Sequence, residues 1–124
     1  MTVATILVVD DSGYARRLLR QTLEPLGHAV VEAGSGLAGL EAYAVHAPDL
    51  VLLDLTMEDM GGLEVLGRLR EMNPGARVIV VSADIQRSTG RQVADAGAFR
   101  FLAKPAEPAE LAEAVQAALA QEDG

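Results

Sequence analysis

The chain contains no cysteine. That removes disulfides, thiolate metal sites and thiol nucleophiles, and nothing points to an oxidising compartment. It has no tryptophan, and aromatics make up 3% of its residues, a composition unlike that of an aromatic-rich β-sandwich. No apolar run approaches the ~20 residues of a membrane span. The N-terminus enters a strand pattern, Ile6-Leu7-Val8-Val9, without the charged and long apolar regions of a signal peptide. A cytoplasmic protein without a membrane partner is expected. Basic residues are scarce: 10 Lys and Arg stand against 18 Asp and Glu, for a net charge of −8. That balance disfavours nucleic acid and anionic lipid as partners. The glycines form no Walker A pattern, so a P-loop nucleotide site is unsupported.

What remains is a chain of 124 residues, half of them apolar and mostly Ala, Val and Leu. This is the size of one domain, taken as residues 1–124, with enough chain to bury a core without staples. Short runs, mostly apolar, read as strands: Ile6–Val9, a weaker 28–33 nearer an edge, Leu50–Leu53, Arg77–Val81 and Phe99–Ala103. Helical spacing separates them. Ser12 caps a stripe of Ala15, Leu18, Leu19, Thr22, Leu23 and Leu26 that stops at Gly27. Leu37, Leu40, Ala44 and Val45 predict a second helix stopped by Pro48, and Leu63, Leu66 and Leu69 a third ended by Asn73-Pro74-Gly75. The fourth, Ile85 to Ala96, is poor: its stripe is thin, and Gly90 costs ~1 kcal/mol against alanine. The fifth carries Leu111, Ala114, Val115, Ala118 and Leu119, with Pro108 in its first turn. Five strand–helix repeats predict a parallel sheet covered on both faces, with right-handed crossovers.

In such a sheet the carboxyl ends of the strands share one edge, where ligands bind. Strand one runs into Asp10 and Asp11, strand three into Asp54, strand four into Ser82 and strand five into Lys104. Each residue alone reads as a cap, a turn or a solvated side chain. Together they converge. Three neighbouring carboxylates raise one another's pKa unless a cation joins them. Oxygen-only ligands suit Mg²⁺. A cation, an ammonium and a hydroxyl make a phosphoryl-binding set, and a carboxylate such as Asp54 can itself accept the phosphoryl group.

At these residues the chain resembles the receiver domain of two-component response regulators, including the single-domain chemotaxis type. The resemblance covers essentially the whole chain. It rests on Val8-Val9-Asp10-Asp11, Leu52-Leu53-Asp54-Leu55 with Met57, Val80-Val81-Ser82-Ala83, Ala96-Gly97-Ala98, and Phe101 three residues before Lys104-Pro105. It implies a doubly wound, flavodoxin-like (βα)5 domain whose five-stranded parallel sheet has the order 2-1-3-4-5. It implies that Asp54 is the phosphoacceptor, that Asp11 ligates Mg²⁺ directly and Asp10 through water, and that the Thr56 carbonyl completes the protein ligands. Ser82 would bond the phosphoryl oxygen, Lys104 would pair with it, and the Phe101 rotamer would follow Ser82. The Lys104–Pro105 bond would be cis. The implied partners are a sensor histidine kinase or a histidine phosphotransfer protein, and a downstream protein effector met in trans. That effector would bind through helix four, strand five and helix five, by a monomer or a phosphorylation-linked dimer.

The family usually has proline where this chain has Glu58. Glu58 and Asp59 are expected to add carboxylates at the mouth of the site and tighten Mg²⁺ binding or make it more pH-sensitive. Gly61-Gly62 are expected to loosen the loop, and Thr56 and Asp84 to flank the site. His28 and His46 are expected at the surface or in loops, away from the strand-end edge, Tyr14 as an exposed helix aromatic, and Met57 and Met60 in loop packing. Two other functions compete. An Mg²⁺-dependent phosphohydrolase with an aspartyl-phosphate intermediate would want an aspartate two residues after the nucleophile, where Thr56 stands. A phosphorylation-independent interaction module would not need Asp10, Asp11, Asp54, Ser82 and Lys104 together.

Overall fold

The computed structural model describes residues 3–83 and 87–120. Asp84, expected to flank the site, and Ile85, expected to begin the fourth helix, lie outside the described residues. The strands are β1 (Thr5–Val9), β2 (Ala29–Ala33), β3 (Leu50–Leu53), β4 (Val78–Ser82) and β5 (Arg100–Ala103). They form one sheet in the order β2-β1-β3-β4-β5, with every pair parallel. The helices are α1 (Gly13–Leu23), α2 (Gly36–His46), α3 (Gly62–Met72), α4 (Arg87–Asp95) and α5 (Pro108–Ala120). No helix among the described residues is long and apolar enough to cross a membrane.

Strand side chains alternate faces, so each apolar run feeds two cores. Leu7, Val9, Val51, Leu53, Val78 and Val80 meet Tyr43 of α2, Val65, Leu66 and Leu69 of α3, and Val93 of α4. Ile6, Val8, Leu50, Leu52, Ile79 and Val81 meet Leu19 and Leu23 of α1 and Leu111, Ala114, Val115 and Ala118 of α5. All four residues of β3 are buried, as its uninterrupted apolar run requires. β2 is an edge strand and half-buried, which accounts for its weaker pattern.

Three helices depart from the sequence expectation. The α1 stripe extends to Leu26, yet the α-helix ends at Leu23, and Glu24–Leu26 form a 3₁₀ turn. Pro25 has no N–H to continue the helix. Gly27 then turns the chain at φ 94°, its N–H donating to the Glu24 carbonyl at 2.9 Å.

In α2 the buried face is Gly36, Gly39 and Tyr43, not Leu37, Ala44 and Val45. Leu37 is 56% exposed and Val45 77%. A Cβ at Gly39 would lie 2.9 Å from both γ-carbons of Val9, so glycine lets the helix sit directly on β1. In α3 Val65 joins Leu66 and Leu69, while Leu63 lies at the rim. His28 has a structural place, its Nδ1 accepting from the Ala4 N–H at 3.2 Å.

Candidate functional site

β1 and β3 are neighbours, and their ladder continues one rung past the strands: the Asp54 N–H donates to the Val9 carbonyl at 2.9 Å. Asp10 and Asp54 therefore leave adjacent strands side by side. One carboxylate oxygen from each of Asp10, Asp11 and Asp54 lies within 4.8 Å of the others. Asp10 and Asp54 are buried and Asp11 is exposed, so the cluster is walled on one side and open on the other. Lys104 follows β5, anchored by its N–H on the Ser82 carbonyl at 2.9 Å. Its Nζ donates to Asp10 Oδ2 at 2.7 Å and stands 3.5 Å from Asp54 Oδ2. Ser82 ends β4 fully buried and pairs in register with Ala103. Phe101 sits two residues earlier on β5, opposite Val80 and half-buried, so Ser82 and Phe101 share a face of the sheet. The Lys104–Pro105 bond is cis. The predicted set thus lies along one edge of the sheet, and Thr56 follows Asp54 in the next loop.

The charges are tuned by their surroundings. Burial pushes the Asp54 carboxyl up; Lys104 opposes this, Asp10 adds to it, and the Thr56 backbone N–H opposes it, leaving the group above the ordinary carboxylate range. Burial works against the Lys104 charge, but hydrogen bonding and attraction from Asp10, with Asp54 behind it, hold the ammonium above its ordinary value. The donor set is all carboxylate oxygen, which fits a hard divalent ion such as Mg²⁺. Formally, three carboxylates less one ammonium leave two negative charges, the complement of a divalent cation.

Three supporting residues were not evident from sequence spacing. Arg16, off the apolar stripe of α1, donates Nη1 to the Asp10 carbonyl at 2.6 Å and Nε to Glu32 at 2.9 Å. Glu32 also accepts from Arg20 at 2.8 Å. The two guanidiniums outweigh desolvation and hold Glu32 below the ordinary carboxylate range. The β1–α1 turn is thus tied to β2. Ser12 completes that turn: its N–H donates to Asp10 Oδ1 at 2.9 Å, and its Oγ caps α1 at the Ala15 N–H.

Gly62 does not loosen its loop. A Cβ there would lie 2.4 Å from Leu55 Cα and 2.6 Å from the Asp54 carbonyl, so glycine permits a tight closure. Asp59 does not add a carboxylate to the mouth. It turns to α2 and accepts from the Gly36 and Leu37 N–H groups at 2.9 and 3.0 Å. Glu58 is exposed, Met57 is buried and Met60 half-buried in the adjoining core. No arrangement of close neighbours in sequence signals the Arg16 and Asp59 contacts, because both cross between elements.

An apolar groove of about 660 Å³ opens beside the site between α1 and the start of α5, lined by Tyr14, Leu18, Pro105 and Leu111 among others. Lys104 lines it too, so groove and site share a wall. Tyr14 is 69% exposed.

Fold and site together define a flavodoxin-like α/β domain with an acidic, lysine-paired cluster at the carboxyl edge of its sheet. The chain belongs to the response regulator receiver family, whose receiver-domain profile matches residues 6–116. It is 36% identical over 115 residues to the chemotaxis protein CheY of Bacillus subtilis, covering 92% of this chain and 96% of that one. It is 38% identical over 119 residues to the DNA-binding transcriptional regulator NtrC of Azospirillum brasilense. That match covers 96% of this chain but only 25% of the regulator's length. Among solved structures, the CheX-CheY-BeF3-Mg complex of Borrelia burgdorferi superposes with a TM-score of 0.90 at 29% identity, covering 94% of this chain and 90% of that chain.

Proposed function

We propose that the protein is a phosphoacceptor switch of a two-component system, with Asp54 as acceptor. The observation that carries this is the burial of Asp54 beside Asp10 and Asp11, with the Lys104 ammonium 3.5 Å from its carboxylate. An Asp54 oxygen attacks the phosphorus of a phosphohistidine on a histidine kinase or phosphotransfer protein. The P–N bond breaks, its electron pair stays on the imidazole nitrogen, and that nitrogen takes a proton from solvent. Water later attacks the same phosphorus, inorganic phosphate leaves and Asp54 is regenerated. Lys104 pairs with the phosphoryl oxygens, and the Ser82 hydroxyl hydrogen-bonds one of them. Asp10, Asp11, Asp54 and the Thr56 carbonyl would hold Mg²⁺, which would supply positive charge where phosphoryl charge develops.

The domain promotes its own phosphotransfer and dephosphorylation rather than turning over a separate substrate. Ser82 and Phe101 share a sheet face, which supports a switch in which the aromatic ring follows the hydroxyl. α4 is built from Arg87–Asp95 with Gly90 inside it, a weak helix suited to move between two arrangements. The α4–β5–α5 surface then meets an effector in trans. The Borrelia relative, in a complex with CheX that contains Mg, supports both the metal and the partner class. The groove shares Lys104 with the site, which supports it as a surface for a phosphodonor protein.

Incubation with Mg²⁺ and acetyl phosphate followed by intact-mass measurement tests the proposal. The expected result is an adduct of about 80 Da, one phosphoryl group, that is absent in Asp54→Asn. Catalytic turnover of phosphate esters would instead favour the phosphohydrolase, and no adduct the phosphorylation-independent module.

A further inference from the structure

Loop 55–61 leads from the proposed acceptor to α3, is closed by the Gly62 N–H donating to the Leu55 carbonyl at 2.9 Å, and carries Thr56 two residues after Asp54, where its backbone N–H favours the charged form of the acceptor carboxylate. Its tether lies in another element. The Asp59 carboxylate spans the first turn of α2, Oδ1 accepting from the Gly36 N–H and Oδ2 from the Leu37 N–H, 23 and 22 residues away in sequence. Ser35 serves the next two donors: its Oγ accepts from the Ala38 N–H at 3.1 Å and its carbonyl from the Gly39 N–H at 2.9 Å. The N–H groups of Gly36, Leu37 and Ala38, which the helix start leaves without intrahelical partners, are therefore satisfied, two of them by the loop, and Gly39 makes the first intrahelical bond. The approach is close. A Cβ at Gly36 would lie 2.8 Å from Met60 Cβ and 3.0 Å from Val65 Cγ2, so only glycine admits the loop at this distance. Met57 anchors the loop on the other side of Glu58, buried in the core. Asp59 gains from the position as well: the two N–H groups hold its carboxyl below the ordinary range.

We propose that Asp59 is a positioning residue for the reaction at Asp54: by capping α2 it pins loop 55–61 and holds the Thr56 backbone against the acceptor. Asp59 touches none of the reacting atoms; it acts through the loop. The proposal rests on the phosphoacceptor reading above and adds a residue to it. A purely structural cap would stabilise α2 and leave Thr56 alone, and the helix supplies its own control, since Ser35 caps the same turn without belonging to the loop.

The experiment compares Asp59→Ala, Asp59→Asn and Ser35→Ala with the unaltered protein. Four quantities are read: the thermal midpoint, amide hydrogen exchange at Thr56, Mg²⁺ affinity by titration, and the initial rate of phosphorylation by acetyl phosphate. Both alanine variants lower the thermal midpoint. Ser35→Ala leaves Thr56 exchange, Mg²⁺ affinity and rate within about twofold of the unaltered protein, whereas Asp59→Ala speeds Thr56 exchange and weakens Mg²⁺ binding and rate by about fivefold or more. Asp59→Asn, which keeps one acceptor oxygen, falls between, and it carries the comparison if Asp59→Ala does not fold. Equal effects of Asp59→Ala and Ser35→Ala on Thr56 exchange overturn the proposal. If the unaltered protein takes neither Mg²⁺ nor a phosphoryl group, the phosphoacceptor reading fails, and Thr56 exchange alone still decides the role of Asp59.

Discussion

Asp54 is 5% exposed, and its carboxyl is held above the ordinary range chiefly by burial. The folded chain therefore binds that proton more tightly than the unfolded chain does. Stability from this group is present at acid pH and is lost as pH rises through the unfolded value towards the folded one. At neutral pH the ionised Asp54 is a net cost, as expected where a group serves chemistry rather than packing. Lys104 has the same relation to pH, in a more alkaline range. Its value is raised, so its contribution is complete below the unfolded pKa and is lost as pH climbs past the folded one. In Asp54→Asn the Lys104 ammonium keeps Asp10 at 2.7 Å, so removing the acceptor charge leaves the strongest pair in place. Thermal melts in EDTA should show Asp54→Asn more stable than the unaltered protein at pH 7, by a margin that shrinks towards pH 4. A lower melting point at pH 7 would count against Asp54 as a strained, unneutralised charge.

At the scale of elements, glycine decides several contacts, in two opposite ways. Gly62 begins α3 where a Cβ would collide with backbone of Leu55 and Asp54. Gly67, inside the same helix, has nothing within 4 Å of the place a Cβ would take. Gly62→Ala should therefore destabilise by about 1–3 kcal/mol or more, as overpacking does. Gly67→Ala should stabilise by up to about 1 kcal/mol, through helix propensity alone. Chemical denaturation of both variants measures the contrast, and loss of stability in Gly67→Ala would show that α3 is limited by something other than its backbone. The same residue type explains what the sequence hid. The strands were legible because apolar runs such as Leu50–Leu53 have few other readings. The buried face of α2 was not, because periodicity weighs large apolar residues, and this helix meets β1 through Gly39. The end of α1 at Leu23 was legible in principle from Pro25. The tethers of Arg16 and Asp59 were not, since each joins residues far apart in sequence.

At the scale of the whole molecule, the net charge of −8 gives the acidic cluster a long-range field of its own sign. In the proposed switch a metal cation would be drawn to the site by the protein at large as well as by its ligands, and that part would be screened by salt over about 10 Å at 0.1 M. Mg²⁺ affinity should fall as monovalent salt is raised. Glu58→Pro, which deletes an exposed carboxylate from the loop after Asp54, should bind Mg²⁺ more weakly and with a shallower salt dependence. Isothermal titration across a salt series measures both, and an unchanged affinity in Glu58→Pro removes that residue from the account. The strand-end set was legible in the sequence because its members depend only on where strands stop. Asp59 was misplaced because loop direction depends on what the loop grips.

The rung from the Asp54 N–H to the Val9 carbonyl has a consequence for how such a chain diverges. The gap between its first and third carboxylate-bearing strands is the spacing of hydrogen-bonded neighbours in any sheet, about 4.8 Å. The gauge of the acidic cluster is thus built into peptide geometry and owes nothing to which apolar side chains fill the layers above and below. Lineages can exchange most of those side chains and still inherit the same aperture. A TM-score of 0.90 at 29% identity is the imprint of that freedom.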